Sequence, residues 1–454
     1  MYRDDPGSRP QALPLGIGRR AWSAHWWLAW LIALLAAGLA TGVSFAATDP
    51  DWAGTEPENI SNSPPNKAWQ PVIVASPSGR MVVVWSDQES VGAPRNIYAR
   101  RSDDNGQTWS ASEVISGTAY ESALPDALVV GGQDFVAWVD QRTVGGQNVA
   151  IYEAEIGAGG ARRVLSPIPL SSTRPRLAAS AGGLHVAFNA GANILHAARP
   201  LTATAWPTAT CIYTSTAAFG PWFPMLAIGP DGETLHVVWQ EVDLGEWAIM
   251  YVRGEVDGAD VDWEPARTLS TGSMELVYPA VAADSSGNLH VVWGEVVGAG
   301  ALEDRDQYVR YMRYDAADDQ WISPAIRIDD DPVRVNRHNP TYTAPRLALL
   351  EKDNQVTVCV AWHGFRAGDP EAEEVLLSCS QDGGDSWSSP QNVSRSSDDG
   401  WAISIEPSIT FGALGQLRAA WQERTGDDVV EDYEIYYTRA LNKAFLPLVV
   451  RNWR

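Results

Sequence analysis

One repeated pattern carries charge at a position that alternation turns away from the core. A Pro followed by alternating apolar residues recurs at Pro71, Pro125, Pro175, Pro224, Pro279, Pro345 and Pro407. The residue after each Pro is Val72, Asp126, Arg176, Met225, Ala280, Arg346 and Ser408 in turn. The next residue is always Ile, Ala, Leu or Val, so it reads as core, and strand alternation points its predecessor the other way. Asp126, Arg176 and Arg346 are then charges facing a shared space. Two readings are open: an ion pair with a solvated Arg, or an anion-binding mouth in which guanidinium forks match a carboxylate. Arg174, Arg337, His338, Tyr278 and Glu406 lie in the segments entering the same strands and are placed to join it.

A second set of carboxylates has its own spacing. An aromatic residue follows each Pro by thirteen to seventeen positions: Trp85, Trp138, Phe188, Trp239, Trp293, Trp362 and Trp421. Two residues further on stand Asp87, Asp140, Ala190, Glu241, Glu295, Gly364 and Glu423. Five carboxylates at one repeat position form a ring on one face. They read as acceptors for loop backbone or partners of Arg142 and Arg424, with a cation or sugar-hydroxyl site as the alternative. His185, His236 and His290 each precede the aromatic by three. Equivalent positions in different repeats lie far apart, so they do not share one coordination sphere, and no metal or other cofactor is expected. Cys359 and Cys379 roughly oppose each other across a predicted hairpin, which permits a disulfide and leaves Cys211 unpaired. The sequons at Asn59 and Asn392 occupy one repeat position, so repetition explains them better than glycosylation.

These residues need a scaffold of short strands. After the aromatic come a polar loop and a third strand, as at Ile97-Tyr98, Ile151-Tyr152 and Ile435-Tyr436-Tyr437. A Gly/Asp turn follows, then a second Trp opening a fourth strand: Trp109, Trp206, Trp263, Trp321 and Trp387. Seven such units of alternating pattern, without helix signals after residue 46, predict an all-β, seven-bladed β-propeller of four-stranded blades. The seventh unit lacks a fourth strand, and Trp52–Ser61 resembles Trp387–Ser394. Residues 52–61 are therefore expected to complete the last blade as an N-terminal outer strand, closing the ring.

Composition bounds the partners. The 454-residue chain has a net charge of −23, which argues against nucleic acid and anionic lipid. Arg19 and Arg20 precede an apolar run from Trp26 to Ala46, ending in small residues. Residues 1–46 read as a signal peptide or an uncleaved signal anchor helix. The protein is then extracytoplasmic, either secreted or membrane-anchored only through that segment. The propeller would span 47–442, with 443–454 as an apolar tail. A monomer is expected.

The turns before the fourth strand carry a resemblance. Ser102-Asp103-Asp104-Asn105-Gly106-Gln107-Thr108-Trp109 and Ser380-Gln381-Asp382-Gly383-Gly384-Asp385-Ser386-Trp387 read S-x-D-x-G-x-x-W. They resemble the Asp box of sialidase-like (BNR-repeat) propellers. In that family the box stabilises a hairpin away from the reaction, so Ser102, Asp104, Gly106, Trp109, Ser380, Asp382, Gly384 and Trp387 are structural. The resemblance also implies an enzyme with three Arg gripping a carboxylate, a Tyr activated by a Glu, and an Asp acid/base. The family's Arg-Ile-Pro signature is absent, since the first inner strand begins Gln70-Pro71-Val72.

Of 21 Trp, twelve are assigned to blade packing and four to residues 1–46. Trp453 lies in the tail, and Trp69, Trp222, Trp247 and Trp401 remain, all expected in loops on one face. Inter-blade packing accounts for them, or they form a flat sugar-binding surface. The leading function is carbohydrate binding through one loop face, with a glycan or glycoprotein partner. Ligand-binding candidates are Trp69, Trp222, Trp247, Trp401, Arg174, Arg176, Arg346, Tyr278, Glu406 and Asp126. A diverged sialidase-like exo-glycosidase and a protein-interaction scaffold are the alternatives. The enzyme reading requires several Arg in one pocket beside a Tyr–Glu pair.

Overall fold

A computed structural model describes residues 50, 52, 55–63, 67–141, 149–160, 162–163, 174–217, 219–243, 245–257, 260–272, 275–301, 305–329, 342–366, 369–396, 403–425 and 432–441. The segments 1–46 and 443–454, together with Trp401, Arg337, His338 and Arg142, lie outside these residues.

The described residues form an all-β, seven-bladed propeller of seven antiparallel sheets. Each sheet begins with an inner strand: Ala68–Ala75, Ser122–Val130, Arg176–Ser180, Trp222–Ile228, Glu275–Ala283, Arg346–Lys352 and Ser404–Phe411. The second strands carry the recurring aromatics, and all seven of these rings are essentially buried. The last sheet takes its outermost strand, Glu58–Asn59, from the other end of the chain, with Glu58 opposite Tyr437 and Asn59 opposite Tyr436. No helix occurs among the described residues.

The fourth position departs from expectation in two ways. Trp109, Trp206 and Trp387 sit in the turn before the outer strand rather than opening it. In the fourth blade, Trp263 ends the short strand Asp260–Trp263, which pairs one end of Glu246–Asp257, while Arg267–Gly272 pairs the remainder. The long third strand is edged by two short ones.

The ring of carboxylates is architectural. Trp85, Trp138, Trp239 and Trp421 each donate the indole N–H to the carboxylate two residues on, Asp87, Asp140, Glu241 and Glu423, at 2.6–3.2 Å. The indole is a partner additional to those expected, and Arg142 lies outside the described residues. A buried indole N–H needs an acceptor, and i, i+2 residues share a strand face. Where the aromatic is Phe188, with no N–H, the acceptor position is Ala190. Glu295 instead takes Arg310.

The Ser-Asp turns form the same bonds twice. Ser102 Oγ accepts the Gly106 N–H at 2.8 Å, and Asp104 accepts the Thr108 N–H at 2.8 Å. Ser380 and Asp382 repeat this with Gly384 and Ser386, at 2.7 and 2.8 Å. The adjoining Trp packs edge-on against a Tyr of the preceding blade: Trp109 on Tyr437, and Trp387 on Tyr311. Outer-strand Ser61, Ser116 and Ser394 each accept a third-strand N–H at 2.8–3.0 Å, so the Asn59 and Asn392 turns are one repeated device. Cys359 and Cys379 are disulfide-bonded, and Cys211 is free and exposed. The recurring His are spent on third strands: His185 on His196, His236 on Tyr251, and His290 on Tyr311, at 2.8–3.0 Å. No cluster of metal-ligating side chains occurs among the described residues.

Candidate functional site

Five inner strands share one backbone irregularity. Gln70, Leu124, Phe223, Tyr278 and Glu406, each immediately before the repeat Pro, have φ between 49° and 59°. The pairing register slips at each of these sites, so the residue and its Pro drop out of the ladder. A Pro has no N–H to donate and fits such a bulge without losing a ladder bond. Its predecessor has one, which must be satisfied elsewhere.

The preceding blade supplies the acceptor. The Tyr278 N–H donates to Gln240 Oε1 at 2.5 Å, the Glu406 N–H to His363 Nδ1 at 3.4 Å, and the Gln70 N–H to Gln422 Oε1 at 3.4 Å. Gln240, His363 and Gln422 each directly follow the buried second-strand Trp. One repeat position thus holds the neighbouring blade's bulge. The Leu124 N–H goes to Gln70 Oε1 at 2.9 Å. Burial, and then the nearby Arg346 charge, push His363 down to about 3, so its ring is neutral and able to accept. A left-handed φ at a non-Gly residue costs about 1–3 kcal/mol and persists only where surroundings impose it.

Three of the bulge residues, Gln70, Leu124 and Glu406, line a common pocket. It is lined by Gln70, Leu124, Arg174 and Glu406 from the positions before Pro, and by Val72, Arg176 and Arg346 from the positions after it. About 400 Å³ of empty space lies within it, including its open mouth. Three arginines and one glutamate from three blades therefore meet in one cavity. Asp126, on the second blade, backs this wall: Arg176 Nη1 donates to it at 3.2 Å and the Leu177 N–H at 2.7 Å. Both members of that ion pair are mostly buried, with side chains 12% and 11% exposed.

The other two guanidiniums are held differently. Arg174 lies over the rings of Phe223 and Tyr278, at 4.9 and 5.5 Å from their centroids. Among the described residues, Arg346 has one hydrogen bond, to the carbonyl of Pro345 at 3.1 Å, and no ion pair. Its burial, and then the like charges of Arg176 and Arg174, push Arg346 down to about 9, against the weaker pull of Glu406 and Asp126. It remains charged at neutral pH. The ion pair expected from the sequence is present as Asp126–Arg176, and Arg346 stands apart from it, half-buried at the open pocket. Tyr278 is pushed up by burial, partly offset by Arg174, with the Glu406 charge adding to the rise.

The aromatic candidates separate. Trp69 packs against Ile403, Ile405 and Tyr433, with the Arg95 guanidinium 5.5 Å from its ring centroid. It is an inter-blade packing residue. Trp222 and Trp247 lie 6.0 Å apart, and Phe219 lies 6.3 Å from Trp222. Trp69, Trp222 and Trp247 belong to strand ends rather than loops. Phe223, which sequence reasoning passed over, packs 4.4 Å from Tyr278. Its repeat position before Pro224 was the available signal.

Chemically, the pocket offers three arginines and the Glu406 carboxylate, with Asp126 behind Arg176. An anion with planar oxygens matches the guanidinium forks, and Glu406 accepts hydroxyl groups.

No family model and no curated protein matches the chain. Among solved structures, an ulvan lyase from a family of polysaccharide lyases, bound to a glucuronic-acid-containing saccharide, superposes with a TM-score of 0.54 at 10% identity. The match covers 82% of this chain and 94% of that one. A sialidase of Streptococcus pneumoniae gives a TM-score of 0.46 at 11% identity, over 86% and 70% of the two chains. A leech intramolecular trans-sialidase gives 0.46 at 12%, over 88% and 71%. At these identities the likeness is one of fold.

Proposed function

We propose that the protein binds acidic saccharides, seating a sugar carboxylate in the pocket of Arg174, Arg176 and Arg346. One observation carries this reading. A chain with net charge −23 gathers three arginines in a single cavity, and Arg346 there lacks a carboxylate partner among the described residues. Desolvating a guanidinium beside like charges is costly, and an incoming carboxylate removes that cost by charge-assisted, bidentate hydrogen bonding. Glu406 supplies an acceptor for ring hydroxyls, which gives the site more than charge to read. The polysaccharide lyase that shares the fold is itself bound to a uronic-acid saccharide, in line with an acidic sugar ligand.

A second reading is a glycosidase of sialidase type, favoured by Tyr278 and Glu406 acting at the pocket beside the arginines. In the sialidase-like scheme a glutamate activates a tyrosine, and an aspartate serves as acid/base. Turnover of a fluorogenic sialoside or glucuronide by the wild-type chain, lost in Tyr278→Phe, supports catalysis. Absence of turnover with retained binding leaves a lectin-like propeller. The reading includes export directed by residues 1–46, ring closure by residues 52–61, and action as a monomer. Titration with sodium glucuronate, N-acetylneuraminate and glucose tests the binding claim: acids bind and glucose does not.

A further inference from the structure

The segment that packs against Arg174 of the pocket also carries a second aromatic group. Phe223 packs against Tyr278 and under the guanidinium of Arg174, which lines the pocket. Its neighbour Trp222 instead stacks beside Trp247 and Phe219, at 6.0 and 6.3 Å between ring centroids. Adjacent Cα atoms are ~3.8 Å apart, so this second group begins one residue from the ring that carries the pocket's Arg174. The two environments are joined by Gln240, whose backbone pairs opposite Trp222 and whose side chain accepts the Tyr278 N–H.

These aromatics are poorly used by the fold. Phe219 is 58% exposed, Trp222 is half-buried, and only Trp247 packs onto the core shared by the fourth and fifth blades. An exposed Phe beside two tilted indoles, adjoining a charged pocket, is a surface with a flat apolar face and polar neighbours. A pyranose ring presents a matching apolar C–H face and edge hydroxyls.

We infer that Phe219, Trp222 and Trp247 form a second sugar subsite, so that the ligand is an acidic di- or oligosaccharide rather than a single acidic sugar. The acidic residue occupies the arginine pocket, and its neighbour stacks on the aromatic shelf. This rests on the acidic-saccharide reading of the pocket.

The experiment compares monosaccharide and disaccharide by calorimetric titration: N-acetylneuraminate against 3′-sialyllactose, and glucuronate against glucuronyl-glucose. Stacking of one ring is expected to tighten the disaccharide by about fivefold. Phe219→Ala, at an exposed position, and Trp222→Leu, which keeps apolar volume, should each reduce that gain and leave monosaccharide affinity unchanged. Arg346→Met should weaken mono- and disaccharide together. A disaccharide no tighter than its acid, or shelf variants that weaken both equally, overturns the shelf and leaves the pocket reading standing. Failure of every acidic sugar to bind overturns the pocket reading and the shelf with it.

Discussion

Asp126 of the second blade and Arg176 of the third are joined across the blade boundary at 3.2 Å, and the same carboxylate takes the Leu177 N–H at 2.7 Å. One of the three pocket arginines is thereby neutralised by the fold itself. Arg346, on the sixth blade, is not, so the two arginines should answer mutation differently.

Asp126→Asn leaves Arg176 enclosed without its counter-ion. A loss of about 3 kcal/mol is expected, read as a lower urea midpoint at unchanged slope. Affinity for an acidic sugar should rise at the same time, because the pocket gains positive charge. A variant of wild-type stability would show the pair to be incidental.

Arg346→Met should do the reverse. Replacing an uncompensated guanidinium by an apolar side chain of similar reach is neutral or stabilising. Loss of charge-assisted bonds to a carboxylate costs about 1.5–3 kcal/mol of binding, roughly ten- to a hundredfold. A fall in melting temperature with intact binding would assign Arg346 to the scaffold.

Gln240→Leu removes the acceptor that holds the Tyr278 N–H at its left-handed bulge. The orphaned donor should cost about 1–3 kcal/mol, and Gln240→Glu, which keeps an acceptor, should cost less. Equal stability of Leu and Glu variants, measured by urea denaturation, would mean the bulge holds itself.

The propeller and its inner strands were legible because a four-strand unit repeats seven times, and repetition exposes Pro71 through Pro407 in one column. The same column drew attention to Asp126, Arg176 and Arg346. The bulges were not legible. A left-handed backbone at Gln70, Tyr278 or Glu406 runs against local preference for residues before Pro, and only the side chain of the preceding blade explains it. The indole donors of Asp87 and Asp140 were not foreseen, for a related reason. Their donors are indoles two residues away in the same strand, although the Phe188–Ala190 exception was already visible. Trp69 was read as loop, yet its environment is set by Ile405 and Tyr433, far away in sequence.

Acid should destabilise the fold above the range where most carboxylates titrate. Burial pushes His185 and His236 down to about 4 and His196 and His363 to about 3, from 6.5 when exposed. Below pH 6.5 the unfolded chain takes up protons that the folded chain refuses, so stability falls as pH drops from about 6.5 and levels off only near 4 and then 3, where the folded histidines protonate. Asp87, raised by burial to about 6, acts oppositely, as do the raised Asp329 and Glu434. Four strongly shifted histidines outweigh them. The melting temperature should therefore be lower at pH 4.5 than at pH 7, and a higher value at pH 4.5 would contradict this balance.

The most direct test of the central claim is calorimetric titration of the wild-type chain and Arg346→Met with sodium glucuronate, N-acetylneuraminate and glucose, at pH 7 and matched ionic strength. The predicted result is saturable binding of an acidic sugar by wild type, weakened at least about tenfold by Arg346→Met, with no heat from glucose. Binding of glucose as tight as that of the acids, or no binding of either acid, would contradict the account.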